Sequence, residues 1–474
     1  MRDRKLIGRV RERQQLLAYL ESNQAELIVV YGRRRVGKTF FVSQTLGSNV
    51  CFELSGLENA RMQDQLLNFY TTLARVYPRA ARVRTWLEAF EQLRDYLETV
   101  DGTKHIFIDE LPWLDTPKAR FLSAFEHFWN SWASRRSDVK LIVCGSATSW
   151  MIDKLLNNRG GLHNRVTHQI YIAPFTLSEA RAYLDHNGLG YNDKELAECY
   201  MILGGVPYYY SLLSPSLSMA QNVDQLFFAS QAQLRHEFDN VYRSLFKHAS
   251  DHINIIRQLA QCGKGLSRKR LLELTKLNNN AKFSTTLAEL EKCGFIRSYV
   301  PFGKVKREVL YQLVDAFSLF YLKFAETNQY QDPAFWTHSL NSGQYRAWSG
   351  YAFEMLCLNH LDDIKRALGI EQIQCRACSW VSKREAGQRG AQIDLLIDRA
   401  DQTVNVCEMK YSRTAYSLTA QDDENLENKL DAFVRQTGTR KSLMLTMITS
   451  FGLAPNKYSG HIQRSLTIAD FLHH

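Results

Sequence analysis

Gly32-Arg33-Arg34-Arg35-Val36-Gly37-Lys38-Thr39 fits the spacing G-x-x-x-x-G-K-[ST]. Just before it, Glu26-Leu27-Ile28-Val29-Val30-Tyr31 is a short apolar run that predicts a buried strand, and Phe40 to Leu46 continues as a helix. A strand entering a glycine-containing loop that opens a helix gathers backbone N–H groups at the positive end of the helix dipole, a nest suited to polyphosphate. In such a loop Lys38 reaches the outer phosphates and the Thr39 hydroxyl ligates Mg²⁺. The chain is therefore expected to bind a nucleoside triphosphate, ATP, with Gly32, Arg33, Arg34, Arg35, Val36, Gly37, Lys38 and Thr39 forming the cradle.

A second acidic element follows about seventy residues on. Lys104-His105-Ile106-Phe107-Ile108-Asp109-Glu110 is an apolar strand ending in two carboxylates. On a parallel strand beside the loop strand, Asp109 would hold Mg²⁺ and Glu110 would polarise the attacking water. Lys140 to Ser146 predicts a third strand, whose Ser146 is placed to sense the γ-phosphate, and His168 to Ile172 a fourth that closes at Pro174. Strands alternating with helical stretches predict a doubly wound parallel sheet with its ligand at the strand C-termini.

These residues carry a resemblance. Ile7-Gly8-Arg9 followed by Glu12 and Leu16, the loop itself, Ile108-Asp109-Glu110-Leu111-Pro112 and Gly145-Ser146 look like the archaeal-type ATPases. These belong to the signal-transducing (STAND) class of AAA-like P-loop NTPases. The resemblance spans about residues 5–235. It implies a helical lid in which a Gly-Gly-x-Pro element lies near the base; Gly204-Gly205-Val206-Pro207 matches it, making Gly205 and Pro207 candidate cofactor-binding residues. It also implies an arginine near the last core strand that contacts the γ-phosphate, for which Arg165 is the candidate and Arg159 the alternate. Tyr208-Tyr209-Tyr210 is read as lid core rather than an adenine stack.

At 474 residues the chain is too long for one core, and 45% hydrophobic with 23% charged residues describes a folded protein. No apolar run reaches the roughly eighteen residues of a membrane span, and the polar start Met1-Arg2-Asp3-Arg4-Lys5 is not a signal peptide. Nine scattered cysteines, an odd number, predict reduced thiols and a cytoplasmic setting; the lone Cys375-Arg376-Ala377-Cys378 is read as incidental thiols. The net charge of +10 is uneven: Asp251 to Ala325 holds 13 Lys/Arg against 6 Asp/Glu, whereas Gln344 onward holds 16 against 15. A surplus confined to one segment suits a phosphate-backbone footprint.

That segment has the pattern of a winged helix. His252 to Gln261 predicts one helix, and Ser267 caps Arg268 to Leu274. A turn at Leu277-Asn278-Asn279-Asn280 leads to a helix with Phe283, Leu287 and Leu290 inside, ended by Gly294. Phe295 to Val300 and Val309 to Leu313 predict strands around a Gly303-Lys304 loop with Lys304, Lys306 and Arg307 at its tip. Asn280, Lys282 and Thr285 would face a nucleic-acid groove, DNA being favoured.

The C-terminal segment holds a second constellation. Gln392 to Ile397 and Val404 to Lys410 predict two strands joined by Arg399-Ala400-Asp401-Gln402-Thr403. Folding this hairpin about Asp401 sets Asp394 opposite Glu408, with β-carbons about 5 Å apart, and Lys410 shares their face. Carboxylates so close call for a cation, Mg²⁺ or Mn²⁺, and Lys410 would orient or deprotonate water or stabilise developing phosphorane charge. Glu354, on a helix opening at Gly350, is a further candidate ligand. The pattern resembles the PD-(D/E)xK nucleases over about residues 345–450, with Ile393 where that motif has Pro. The archaeal-type ATPases do carry C-terminal domains of this kind.

The expected fold class is α/β: a P-loop doubly wound parallel sheet with a helical lid, a winged helix and a C-terminal α/β restriction-endonuclease-like domain. The expected domains are an ATPase core over residues 1–173, a lid over 174–245, a winged helix over 246–325 and a nuclease-like domain over 345–474. The function read from this is ATP binding and hydrolysis that controls a metal-dependent nucleic-acid-cleaving domain. The alternative is an ATP-dependent switch that binds DNA or a protein partner, or a second copy of the chain, with an inactive nuclease-like scaffold. No membrane partner is expected.

Overall fold

The computed structural model of the protein describes residues 5–156, 165–246, 248–328, 332–383 and 389–472. Contacts divide the chain into two compact units, Met1–Pro174 and Phe175–His474.

The first unit is a five-stranded parallel sheet of β1 (Glu26–Tyr31), β2 (Val50–Ser55), β3 (Lys104–Asp109), β4 (Val139–Gly145) and β5 (His168–Tyr171), in the order β2-β3-β4-β1-β5. Parallel strands covered on both faces read as continuous apolar runs, and β1 shows why. Successive side chains leave a strand on opposite sides. Leu27 and Val29 join a core with Trp86, Phe90, Phe121 and Phe125, whereas Ile28 and Val30 join another with Leu16, Phe41 and Val42. The second core is covered by helices Val10–Leu20 and Lys38–Leu46; the first by Met62–Ala74, Trp86–Leu97 and Phe121–Ser131. This is a P-loop ATPase-like α/β fold with a parallel sheet. Sequence reading placed four of its strands within a residue of their bounds but omitted β2.

The second unit begins with helices, among them Leu177–His186, Asp193–Leu203 and Glu237–Leu245. Three more, Ala249–Gln261, Arg268–Thr275 and Ala281–Lys292, accompany a small antiparallel sheet of β6 (Leu266–Ser267), β7 (Ile296–Tyr299) and β8 (Leu310–Leu313), in the order β6-β8-β7. The local signals act as expected. The Ser267 hydroxyl accepts the Arg270 N–H, and Gly294 takes φ 72° just past the last helix.

The unit ends in a mixed sheet, β13-β12-β11-β10-β9, of β9 (Cys375–Val381), β10 (Gln392–Arg399), β11 (Thr403–Lys410), β12 (Ser442–Thr449) and β13 (Arg464–Leu466). The first three strands run antiparallel and the last three parallel. Helix Gly343–Asn359 packs Phe353 and Leu356 into the core of one face, with Leu395, Ile397 and Cys407. Helix Ala420–Thr437 packs Leu426 and Phe433 against the other, with Leu396, Val406 and Met447. Ile393 joins this second face as well, three residues from Leu396, because the β9–β10 register shifts between them. That bulge falls at Asp394, the kind of irregularity that re-aims a side chain.

Candidate functional site

In the first unit the loop after β1 is shaped by its backbone. A Cβ on Gly32 would lie 2.3 Å from the Ile172 carbonyl oxygen, and Gly37 at φ 85° caps the helix Lys38–Leu46. Neither position accepts a side chain without strain. Lys38 is buried, its Nζ donating to the Arg33 carbonyl at 3.0 Å, so the ammonium lies folded over the loop. The Thr39 hydroxyl donates to Asp109 Oδ2 at 2.9 Å. Asp109 is itself buried and its Oδ1 meets no hydrogen-bond donor among the described residues. A buried carboxylate oxygen left open beside a threonine hydroxyl suits a hard divalent cation, so these residues fit Mg²⁺.

Glu110 departs from the strand in a left-handed conformation, φ 45° and ψ 47°, unusual for a residue with a side chain. The Ser146 backbone N–H donates to its Oε2 at 3.1 Å, and the Ser146 hydroxyl donates to Oε1. Ser146 therefore meets Glu110 here. Arg34 pairs with Glu58 at 3.6 Å.

Arg165 occupies the exposed turn that enters β5. Because β5 runs parallel to β1, with Ile28 beside His168 and Tyr31 beside Tyr171, this turn lies at the end of the sheet opposite the loop. At about 3.3 Å per residue the separation is near 20 Å, beyond an arginine's reach. Within this chain Arg165 therefore lies far from the loop. Arg159 lies outside the described residues. Gly205 and Pro207 belong to the second unit. A Cβ on Gly205 would lie 2.1 Å from the Phe175 carbonyl oxygen, a packing reason for glycine, and Pro207 opens the short helix Pro207–Tyr210. Of Tyr208-Tyr209-Tyr210, all read as lid core, Tyr209 and Tyr210 are buried and Tyr208 is exposed.

In the second unit the hairpin register follows the sequence expectation. Leu395 pairs with Cys407 and Leu396 with Val406, the register expected for the hairpin, and the paired ladder ends one step before Asp394 and Glu408. Gln402, in the turn, takes φ 62°. Asp394, Glu408, Lys410 and Glu354 line one cleft of about 700 Å³, walled in part by Lys264 and Lys429. Glu354 lies midway along Gly343–Asn359, a helix that starts seven residues before the expected opening, with Ser342 as its cap. Burial pushes its carboxyl up to about 8, the charges of Asp394 and Glu408 adding to the rise and Lys410 and Lys429 opposing it. Three carboxyl groups from three elements thus share a poorly solvated space.

Their immediate partners are nitrogen donors. Lys410 Nζ lies 3.1 Å from Glu408 Oε1, Lys429 Nζ lies 2.6 Å from Glu408 Oε2, and Gln392 donates to Asp394 Oδ1. Burial acts to lower the Lys410 pKa, but Glu408 outweighs it and the ammonium is held above its ordinary value. Among the described residues, the one trio of His, Cys or acidic side chains whose ligand atoms already converge is Asp423 and Glu427, on helix Ala420–Thr437, with His461 from the turn Ser459–His461. Glu354, Asp394 and Glu408 do not converge as tightly, and the lysines and Gln392 occupy oxygens of Glu408 and Asp394. As a donor set they still fit Mg²⁺ or Mn²⁺: all are hard oxygens, and their mutual repulsion is what a cation relieves. Lys429 escaped the sequence reading, since it lies far from the E-x-K motif on a helix with no motif of its own.

The base of the loop between β7 and β8 packs on the neighbouring sheet, while Gly303, Lys304, Val305, Arg307 and Glu308 toward its tip are exposed. The Phe302 N–H donates to the Ser379 carbonyl on β9 at 2.8 Å, Arg376 donates to the Val300 carbonyl at 3.0 Å, and the Phe302 ring meets Phe433 at 5.0 Å. Lys304 pairs with Glu308 at 2.9 Å, and the Lys306 side chain lies outside the described part. Phe302, the aromatic residue at the base of the loop, thus finds apolar surface on the neighbouring sheet, while Lys304 and Arg307 near the tip stay exposed. Asn280 caps its helix through its side chain, and Lys282 pairs with Asp251 at 2.7 Å. Cys375 and Cys378 are free thiols on β9, and burial pushes Cys378 up to about 11, away from the thiolate that binds metals.

Comparison with known proteins bears on the first unit most directly. Residues 6–213 match the model of a family described as an ATPase domain predominantly from Archaea. An uncharacterized protein of Methanocaldococcus jannaschii, MJECL04, is 25% identical over 395 residues, covering 82% of this chain and 83% of the relative. Among solved structures, the Walker-type ATPase PABY2304 of Pyrococcus abyssi is 17% identical with a TM-score of 0.49, over 67% of this chain and 96% of the other. The ORC2 protein of Aeropyrum pernix, solved as ADPNP–ADP complexes, is 15% identical with a TM-score of 0.42, over 68% of this chain and 95% of the other. The family match and the loop together support an ATPase-like function. No helix among the described residues is long and apolar enough to cross a membrane.

Proposed function

We propose that this chain hydrolyses ATP in its first unit and thereby controls a metal-dependent, nucleic-acid-cleaving site in its second. In the first site, Lys38 would swing from the Arg33 carbonyl to the outer phosphates. Thr39 and Asp109 would hold Mg²⁺, and Glu110 would polarise the attacking water once released from Ser146. In the second site, Glu354, Asp394 and Glu408 would hold Mg²⁺ or Mn²⁺, which when bound supplies Lewis-acid activation of a phosphodiester. Lys410, held as an ammonium, suits stabilisation of phosphorane charge better than removal of a proton. Residues 174–245 serve as the lid, 246–325 as a winged helix and 345–474 as the nuclease-like domain. DNA is the favoured substrate.

The observation that carries this reading is the shared cleft, lined by carboxylates from a helix and two strands together with a lysine paired to one of them. The test is a cleavage assay on single- and double-stranded DNA and RNA with Mg²⁺ or Mn²⁺, with and without ATP. Metal-dependent cutting that Asp394→Ala reduces to background is expected. Intact nucleic acid under every condition sinks it. The second reading, an ATP-dependent switch with an inactive scaffold that binds DNA or a protein partner, is favoured by the pairing of both Glu408 oxygens with lysines. It predicts tight nucleic-acid or partner binding without cleavage.

A further inference from the structure

Lys429 stands outside every motif in the sequence, yet it makes the shortest ion pair at the candidate cleavage site. Its Nζ lies 2.6 Å from Glu408 Oε2, while Lys410 takes Oε1 at 3.1 Å. Both oxygens of Glu408 are therefore occupied by ammonium groups. The pair is largely screened from water, with Lys429 at 18% and Glu408 at 13% side-chain exposure. In such surroundings an ion pair is worth more than on the open surface, and breaking it leaves a charge that needs a new partner.

The two lysines are not equivalent. Lys410 leaves the same strand two residues from Glu408 and travels with it. Lys429 comes from helix Ala420–Thr437, on a separate element, and its side chain also lines the cleft. Its flexible four-carbon stem can move the point charge aside without moving the helix. A cation approaching Glu408 meets Lys429 first as a competitor for Oε2.

We propose that Lys429 is a positioning residue that acts as a resident cation: it holds Glu408 when no metal is bound and must be displaced before Glu408 can join Asp394 and Glu354 around a divalent ion. Lys429 thus sets the metal concentration at which the cleft becomes competent. Once displaced, its ammonium remains beside the cleft, where a substrate phosphate is its natural new partner. The inference rests on reading the cleft as a metal site.

The experiment is calorimetric titration of the full chain with Mn²⁺, without nucleotide or nucleic acid. It compares wild type, Lys429→Met, Lys429→Arg, Asp394→Ala and the Asp394→Ala/Lys429→Met double variant. Lys429→Met is expected to bind Mn²⁺ roughly tenfold tighter, the scale on which neighbours of metal ligands tune affinity. Lys429→Arg should match wild type, since it retains the competing charge. The gain should vanish in the double variant, which locates it to the cleft. Unchanged or weaker binding by Lys429→Met, with Asp394-dependent binding by wild type, overturns the role of Lys429 alone. Binding that ignores Asp394 overturns the metal reading of the cleft, and the proposal with it. Circular-dichroism melting of each variant separates a folding defect from a change of affinity.

Discussion

The two acidic sites of this chain solve one problem in opposite ways. In the first unit, Asp109 and Glu110 end a strand and are met by hydroxyl and amide groups: Thr39 on one, Ser146 on the other. In the second, Glu408 is met by two ammonium groups and Asp394 by an amide. A hydroxyl partner leaves the carboxylate's full charge in place, ready for a cation that arrives with nucleotide. An ammonium partner neutralises the charge in advance, so a cation has to compete. The first arrangement is poised for a ligand; the second withholds itself.

The largest effect expected from this contrast is in the loop. Lys38→Ala should weaken ATP binding by about a hundredfold or more, since a buried ammonium that contacts phosphate supplies a charge-assisted bond nothing else replaces. Fluorescent-nucleotide titration measures this, and Mn²⁺ binding in the second unit should be untouched. Loss at both sites would break the separation between them. A smaller effect concerns the docked loop. Phe302→Ala should destabilise the second unit by about 2 kcal/mol, less than a fully buried phenylalanine because the ring is only half-buried. A shift in the second unit's urea unfolding, with ATP affinity unchanged, is the expected result. No shift at all would mean that the contact with Phe433 contributes nothing to stability.

A further effect is a pH dependence. Glu354 has an ordinary value of 4.5 and is pushed up to about 8 by burial and by Asp394 and Glu408. Through that range the folded chain keeps a proton that the unfolded chain has released, so stability falls as pH rises from 4.5 towards 8. Glu354→Gln escapes this loss. With chelator present, its melting temperature should match wild type near about pH 4 and exceed it progressively towards pH 8. A constant offset across the range would show that burial and its acidic neighbours do not raise the Glu354 carboxyl as described.

Much of this was legible because it is local. The loop Gly32–Thr39 needs a strand before it and a helix after it, and both are visible as apolar periodicity. The hairpin register was legible too, because a short turn of known length fixes which residues face each other. What escaped the sequence is what depends on distant contacts. β2 is only six residues, Val50–Ser55, with an apolar start and a polar-interrupted end, too short to stand out without the β3 strand it pairs with. Lys429 is one charge on a charged helix until the fold brings it to Glu408. Arg165 looked close to the nucleotide in sequence, but strand direction carries it to the far end of the sheet. The loop around Phe302 read as a basic wing, and only the neighbouring sheet shows where its half-buried phenyl ring packs.

That loop also guards the protein against itself. β9 is the outer strand of its sheet, and an outer strand presents unpaired N–H and C=O groups that invite pairing with another chain. The Phe302 N–H already occupies the Ser379 carbonyl, and Arg376 reaches back to Val300. A fragment beginning near residue 345 would lose this cover and expose both the strand edge and the apolar ground beneath Phe302. The C-terminal sheet expressed alone is therefore expected to self-associate, whereas the intact second unit carries its own edge protector.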